Sequence, residues 1–435
     1  MTPTLAETVP WPNPIADAGM YGIAGEFVRL VSPHTEADPN IILLAFLTYA
    51  GNILGRQYFM MTGSDHHCGN MYLCTVGATG VGRKGSAISV VETFFRKFYG
   101  GAGNSTPGLA HRLDGISTGE GVIWEIHDRI MKRELNKHTK NFEDVISEEE
   151  VKDKRLLIYL SEFHQCISAM RRQDSILSSI FRQAWDRDII SSPAKTSPAH
   201  ASGAHVSIIG CITKEELLRQ TDAADAENGT LNRFIFACSR RSKLLPSGGK
   251  FSKLAHSSEW QNLRDRFETN IVNSVGASLL MERDANALDD WGVDEKPNVG
   301  IYNPLSQARA GLWGAVTVRA PQQVMRLSLI IATINGYREI RLEHQDAASA
   351  LWRYCDDSAK YIWGSVDNPM LTELLDELRA AGDAGMTRTQ INRIWNSKKP
   401  AILIAAALSD LARGGIIRLQ MESTSGRSTE KWFAI

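Results

Sequence analysis

An α/β fold is predicted for this chain on three observations. Apolar runs of strand length alternate with helical stretches through residues 69–250. The first of those runs leads directly into a glycine-rich turn that opens a helix, and residues 366–435 read as three short helices followed by a β-hairpin. A length of 435 residues exceeds what one ordinary core fills and calls for about two or three domains. By pattern the chain divides into a helical N-terminal region (1–68), an α/β core (69–250), a helical region (251–365) and a terminal module (366–435).

Taken in order, the N-terminal region reads as a helical preface. Residues 23–31 have amphipathic spacing, and Asp38-Pro39 supplies an N-cap and a first-turn proline ahead of the apolar run 41–50. Met71-Tyr72-Leu73-Cys74-Thr75-Val76 is the first core strand, and a helix follows over 87–98. Residues 128–155 mix charges of both signs and read as a solvated helical insertion. Residues 155–163, 205–212 and 233–238 are apolar runs expected as further buried strands. Beyond them, 321–363 has helical periodicity, with Val324, Leu327, Ile331 and Ile334 on one face and a second stripe over 348–362.

Composition excludes several classes. Hydrophobic residues at 43% and charged residues at 22% are those of a globular protein, not a disordered one. A net charge of -1 excludes a polycation that coats nucleic acid, so any DNA contact must come from a local basic patch. The six cysteines lie scattered in apolar runs without C-x-x-C spacing, as buried thiols of a reducing compartment do. His66-His67-Cys68 lacks a second ligand pair at zinc-like spacing, so no metal is expected there. With no basic-then-apolar leader and no apolar run of about 18 residues, the expected location is cytoplasmic, without a membrane partner.

Chemistry concentrates at Gly77-Ala78-Thr79-Gly80-Val81-Gly82-Arg83-Lys84-Gly85-Ser86. Strand, glycine-rich loop and helix in succession form the context of a phosphate-binding loop. Gly77, Gly80, Gly82 and Gly85 let the backbone wrap a polyphosphate while helix-start amides face its oxygens. Lys84, with Arg83 beside it, supplies positive charge, and the Ser86 hydroxyl is placed to hold Mg2+. The pattern G-x-x-x-x-G-K-[ST] would put lysine at position 83, so here Lys84-Gly85-Ser86 stands one residue late. A glycine-rich surface loop with basic residues is the plainer alternative. The fold class expected from this loop is a P-loop NTPase core of AAA+ or RecA-like type.

The strand at 155–163 ends in Ser161-Glu162. An acid at that point, beside the phosphates, orients the attacking water and helps hold the metal, so Glu162 is the candidate for both roles. Ser161 stands where an aspartate would often assist the metal. Thr213, ending the next strand, is placed to sense a γ-phosphate. Arg233, just before the strand at 233–238, is either an arginine finger acting across a subunit boundary or the partner of a surface acid.

Five strings, Pro33-His34-Thr35-Glu36-Ala37-Asp38-Pro39, Gly82-Arg83-Lys84-Gly85, Ser117-Thr118-Gly119-Glu120-Gly121, Phe181-Arg182-Gln183-Ala184-Trp185-Asp186 and Asn232-Arg233-Phe234, resemble a bacterial P-loop ATPase family of unknown function. Its relatives occur in primase-helicases of phages and mobile elements. The likeness runs from about residue 20 to the C-terminus, and it implies an ATPase core and a role in DNA replication or mobility. More distantly the layout is similar to that of minichromosome-maintenance-type ring helicases. There the arginine finger lies in an Arg-Phe string, as at Arg233-Phe234, and a lid helix supplies a second arginine. Residues 317–327 are similar to that helix, which points to Arg319, although Pro321 departs from a plain helix interior.

The terminal module reads as helices over 370–380, 388–395 (opened by Thr387) and 401–413, then a hairpin of 416–422 with 429–435. That arrangement is a winged helix, which binds DNA or another protein. Arg388, Arg393, Lys398, Lys399 and Arg427 would meet phosphates. Together these expectations describe an ATP- and Mg2+-dependent, helicase-like motor on DNA, assembled as a homo-oligomer, with a hexameric ring as one arrangement open to it. A nucleotide-dependent DNA-binding switch without motor activity is the alternative that the late lysine and Ser161 favour.

Overall fold

The computed structural model describes residues 9–100, 109–136, 138, 140–192, 199–221, 228–272, 278–296, 298–309, 311–364, 369–395, 399–413, 417–422 and 429–434. They fall into two compact units. The larger covers Trp11–Ala308 and Ala315–Ala359, and the smaller is formed chiefly by Lys360–Ile435.

The N-terminal helices of the larger unit are α1 (Gly22–Val31) and α2 (Pro39–Leu54). Asp38 caps α2 by accepting the Asn40 amide at 3.0 Å, with Pro39 in the first turn. Every residue of α2 from Ile41 to Leu54 is buried, as befits a helix apolar on nearly every side. It is therefore a central element of the core, where a preface had been expected. Residues 58–68, expected as helix, instead form the antiparallel pair β1 (Tyr58–Thr62) and β2 (Asp65–Cys68). Aromatic and apolar residues suit the strand, and Gly63, at φ 57°, supplies the left-handed step of the turn.

Next come β3 (Tyr72–Val76), α3 (Lys84–Phe95), β4 (His111–Asp114), α4 (Gly119–Glu125), β5 (Ile130–Leu135), β6 (Phe142–Glu148) and β7 (Arg155–Leu160). After them follow α5 (Phe163–Met170), α6 (Leu177–Asp186), β8 (Ile190–Ser192), β9 (Ala199–Ala201), β10 (His205–Ile212), α7 (Lys214–Gln220) and β11 (Phe234–Cys238). Five of these strands make one parallel sheet in the order β11-β3-β10-β7-β4. The strand that precedes the glycine loop thus lies beside β10, and the strand that ends near Glu162 lies one place further along. All residues of β3, β10 and β11 are buried, the mark of a parallel sheet covered on both faces. Ile209 and Cys211 of β10 share a core with α2 and α3, whereas Gly210 between them meets the Phe163 ring of α5. Alternation along the strand therefore puts α2 and α3 on one face and α5 on the other.

The charged insertion is a hairpin, not a helix. β5 and β6 pair antiparallel from Leu135↔Phe142 to Met131↔Ile146. Interleaved charges carry no helical period, and the strand-favouring residues Ile130, Phe142, Val145 and Ile146 decide the outcome. Downstream, α8 (Ser258–Val272), α9 (Ala320–Ile334) and α10 (Leu342–Trp363) complete the unit, with β12 (Leu279–Leu280) beside β1. Pro321 lies in the first turn of α9 with Arg319 as N-cap, a position proline tolerates because the amide it lacks has no intrahelical partner. One buried cluster runs from Ile15 to Cys355, so the regions separated by pattern at 68 and 250 share a core.

The smaller unit contains α11 (Pro369–Ala381), α12 (Arg388–Ile394) and α13 (Ala401–Arg413). Its sheet has the order β13-β15-β14, from β13 (Met386–Thr387), β14 (Ile417–Glu422) and β15 (Thr429–Ala434). Thr387 and Gln390 form a reciprocal capping box at α12. Leu374, Leu378, Ile391, Ile404, Leu408 and Trp432 belong to its separate core. Among the described residues no helix is long and apolar enough to cross a membrane.

Candidate functional site

A cleft of about 330 Å³ opens beyond the carboxyl ends of β3, β7 and β10, the place where parallel α/β sheets hold ligands. The turn after β3 forms one wall. Gly77 passes so close to the next chain segment that a Cβ there would stand 2.3 Å from the Ser239 carbonyl oxygen. Gly80 has φ 69° and open space around it, a backbone step that side chains disfavour. The Gly82 amide donates to Ala78 O at 2.9 Å, and Ser239 Oγ donates to Gly82 O at 2.7 Å. Gly80, Arg83, Lys84, Gly85 and Ser86 line the cleft, while Gly77 and Gly82 shape the loop behind them.

The residue that puts the lysine one place late is absorbed at Arg83. Arg83 adopts φ 50° and ψ 26°, a left-handed conformation uncommon outside glycine, immediately before α3. Its guanidinium meets the Glu36 carboxylate at 2.8 Å from Nε and 2.6 Å from the terminal nitrogen. Lys84 becomes the first residue of α3, and its ammonium donates back to the Gly77 carbonyl. Burial lowers the pKa of that ammonium from the ordinary lysine value. No side chain caps α3, so the amides at its start face the cleft without a side-chain acceptor.

Two carboxylates border the cleft opposite the loop. Glu162 follows β7 as the N-cap of α5, makes no capping bond, and has a side chain 60% exposed, with His164 Nδ1 3.4 Å away. Ser161 lies beside it in the wall. Thr213 also lines the cleft, but its hydroxyl is engaged: it donates to Glu216 Oε2 at 2.9 Å and accepts the Glu216 amide at 3.2 Å. That bond is the first reason the Glu216 pKa lies below the ordinary value. Glu216 reaches the cleft too and was not singled out from sequence, although Thr213-Lys214-Glu215-Glu216 spells a capping box. Ser86, Glu162 and Glu216 offer hard oxygen donors of the kind Mg2+ takes. Cys211 lines the same wall, and burial raises its pKa.

Arg233 and Arg319 lie elsewhere. Arg233 precedes β11, at the amino end of the sheet, opposite the cleft. Its side chain is 7% exposed and pairs with Asp186 at 2.5 Å. Arg319 donates to Asn232 Oδ1 at 2.9 Å and lies 3.6 Å from Asp186. Both stand over the Trp185 ring, at 5.8 and 5.0 Å, and the fully buried Arg326 lies 3.9 Å from it. Burial lowers the Arg326 pKa to about 10. Arg319 therefore cannot serve as a lid arginine for its own chain's cleft: the length of β11 separates them, about 3.3 Å for each strand residue.

In the smaller unit Arg388 is half-buried, and Arg393 and Lys399 are exposed. Lys398 and Arg427 lie outside the described residues. Searches of protein families and of curated proteins return no match to this chain.

Proposed function

We propose that the chain binds ATP with Mg2+ in the cleft beside the glycine loop and hydrolyses it, as the ATPase of a helicase-like machine acting on DNA. The observation that carries the reading is the coincidence, in one cleft, of an uncapped helix start, a semi-buried lysine ammonium and two carboxylates. The first two supply amide donors and a compensating charge for a triphosphate, and the glycine backbone beside them permits close approach. Lys84 and the amides of Lys84, Gly85 and Ser86 would hold the phosphates. Ser86 and Glu162, with Glu216 nearby, would hold Mg2+, which when bound neutralises phosphate charge. Among the described residues no three His, Cys, Asp or Glu side chains gather into a metal site. Such a cation would therefore share its coordination with the nucleotide. Glu162 would orient water as general base.

The sheet order supports the same reading. It brings the ends of β3, β7 and β10 around one cleft, so the loop, the acid and Thr213 meet although 136 positions separate Gly77 from Thr213 in sequence. In this proposal Arg233, with Arg319 beside it, serves a neighbouring copy's nucleotide, and Asp186 holds both until that copy arrives. The smaller unit reads as a winged helix whose Arg388, Arg393 and Lys399 meet phosphate. Relationship to the primase-helicase ATPases, and the homo-oligomer that goes with it, stand as part of this proposal.

One observation favours the second reading, a nucleotide-dependent DNA-binding switch without turnover: the Thr213 hydroxyl is already committed to Glu216. Steady-state phosphate release with and without DNA separates the two. The motor reading expects DNA-stimulated turnover that Lys84→Ala abolishes. Nucleotide binding without release in the wild type would establish the switch.

A further inference from the structure

We propose that one face of the β5–β6 hairpin is the contact between two copies of this chain. In register, Met131 stands opposite Ile146, Arg133 opposite Asp144 and Leu135 opposite Phe142. With side chains alternating along each strand, these six share one face. Its four apolar side chains are 50%, 48%, 53% and 62% exposed for Met131, Ile146, Leu135 and Phe142. The other face carries exposed Lys132, Glu134 and Glu143 with the half-buried Val145, and suits water. An isolated two-stranded ribbon is marginal in water, and two exposed apolar rows flanking one charged row on a single face mark a surface that another molecule covers.

Charge identifies the occupant. The middle row sets Arg133 opposite Asp144 in register, with the Arg133 guanidinium 5.7 Å from the Phe142 ring. A two-fold axis parallel to the strands lays β5 of one copy on β6 of the other. Arg133 then meets Asp144 of the second copy, and the reverse contact follows by symmetry, as an isologous interface requires. Leu135 then packs on Phe142 of the second copy, and Met131 on Ile146. A polyanion would find beside Arg133 a carboxylate and four apolar groups, a poor match to phosphate. The inference does not depend on the nucleotide reading.

Light scattering of the full chain across a wide concentration range tests it. Without nucleotide or DNA, the expected mass rises from that of one chain toward two. Arg133→Asp and Asp144→Arg each weaken association at least about tenfold, because every cross-contact becomes like-charged. Mixing the two variants restores it, since each Asp then faces an Arg. Each single variant also places like charges across its own hairpin. Mixing leaves that repulsion unchanged, so recovery reports on the contact between chains. Phe142→Ser, which keeps both charges, weakens association as well. A wild type that stays at one chain's mass, variants that associate like wild type, or a mixture that fails to recover would each overturn the proposal.

Discussion

Among single residues, Lys84, Glu162 and the buried histidines carry the sharpest expectations. Lys84→Ala removes a charged donor from a partly desolvated site, so ATP affinity is expected to fall about 10- to 100-fold in a calorimetric titration. Arg83→Ala should change it far less, because Arg83 is committed to Glu36. Glu162→Gln keeps size and loses the base. Turnover should drop about 10²- to 10⁴-fold in a phosphate-release assay while ATP still binds. His205 is fully buried, with Nε2 2.9 Å from Gly51 O, and burial lowers its pKa from 6.5 to about 3. Below pH 6.5 the unfolded chain gains a proton that the folded chain refuses. The stability held by the neutral ring is complete above that pH and is lost on acidification toward pH 3, by about 1.4 kcal/mol per unit. Burial lowers His67 and His344 to about 4 as well, so urea unfolding at pH 7 and pH 5 should show a loss steeper than one group gives, and His205→Gln should reduce it by His205's share. Residue-level roles were only partly legible. Loop composition announces Lys84, but nothing in linear order reveals that Asp186 holds Arg233 and Arg319, because that cluster joins segments far apart in sequence.

At the scale of elements, β3, the loop and α3 were readable because each obeys a strong local rule: an apolar run, glycine clustering, then helical spacing. The one-residue displacement of Lys84 was visible, but its resolution was not, since a left-handed arginine is a tertiary outcome. The hairpin at 130–148 was misread because alternating charges suit a helix surface and a strand equally. Helix α2 was assigned correctly, yet its central place was not, although a helix apolar on nearly every side already implies full burial. Packing of α5 on β10 rests on Gly210, where an added Cβ would lie 2.9 Å from the Phe163 ring. Gly210→Ala is expected to cost about 1–3 kcal/mol in denaturant unfolding. It should also weaken turnover, since α5 begins immediately after Glu162 and displacement of the helix moves that acid.

At the scale of the whole molecule, the two units have separate cores, and every residue of the cleft belongs to the larger one. A chain ended after Trp363 should therefore keep its ATP-dependent stabilisation and lose the DNA response, a prediction checked by nucleotide titration and DNA-stimulated phosphate release on the shortened protein. The central claim is that the cleft beside the glycine loop takes a triphosphate, and thermal unfolding with ATP and Mg2+ addresses it most directly. A ligand at one hundred times its dissociation constant adds about 2.7 kcal/mol to a native state that binds it. The account predicts a rise in Tm with ATP concentration for the wild type and little or none for Lys84→Ala. A wild type whose Tm does not move, or a Lys84→Ala protein stabilised as fully as wild type, would contradict it.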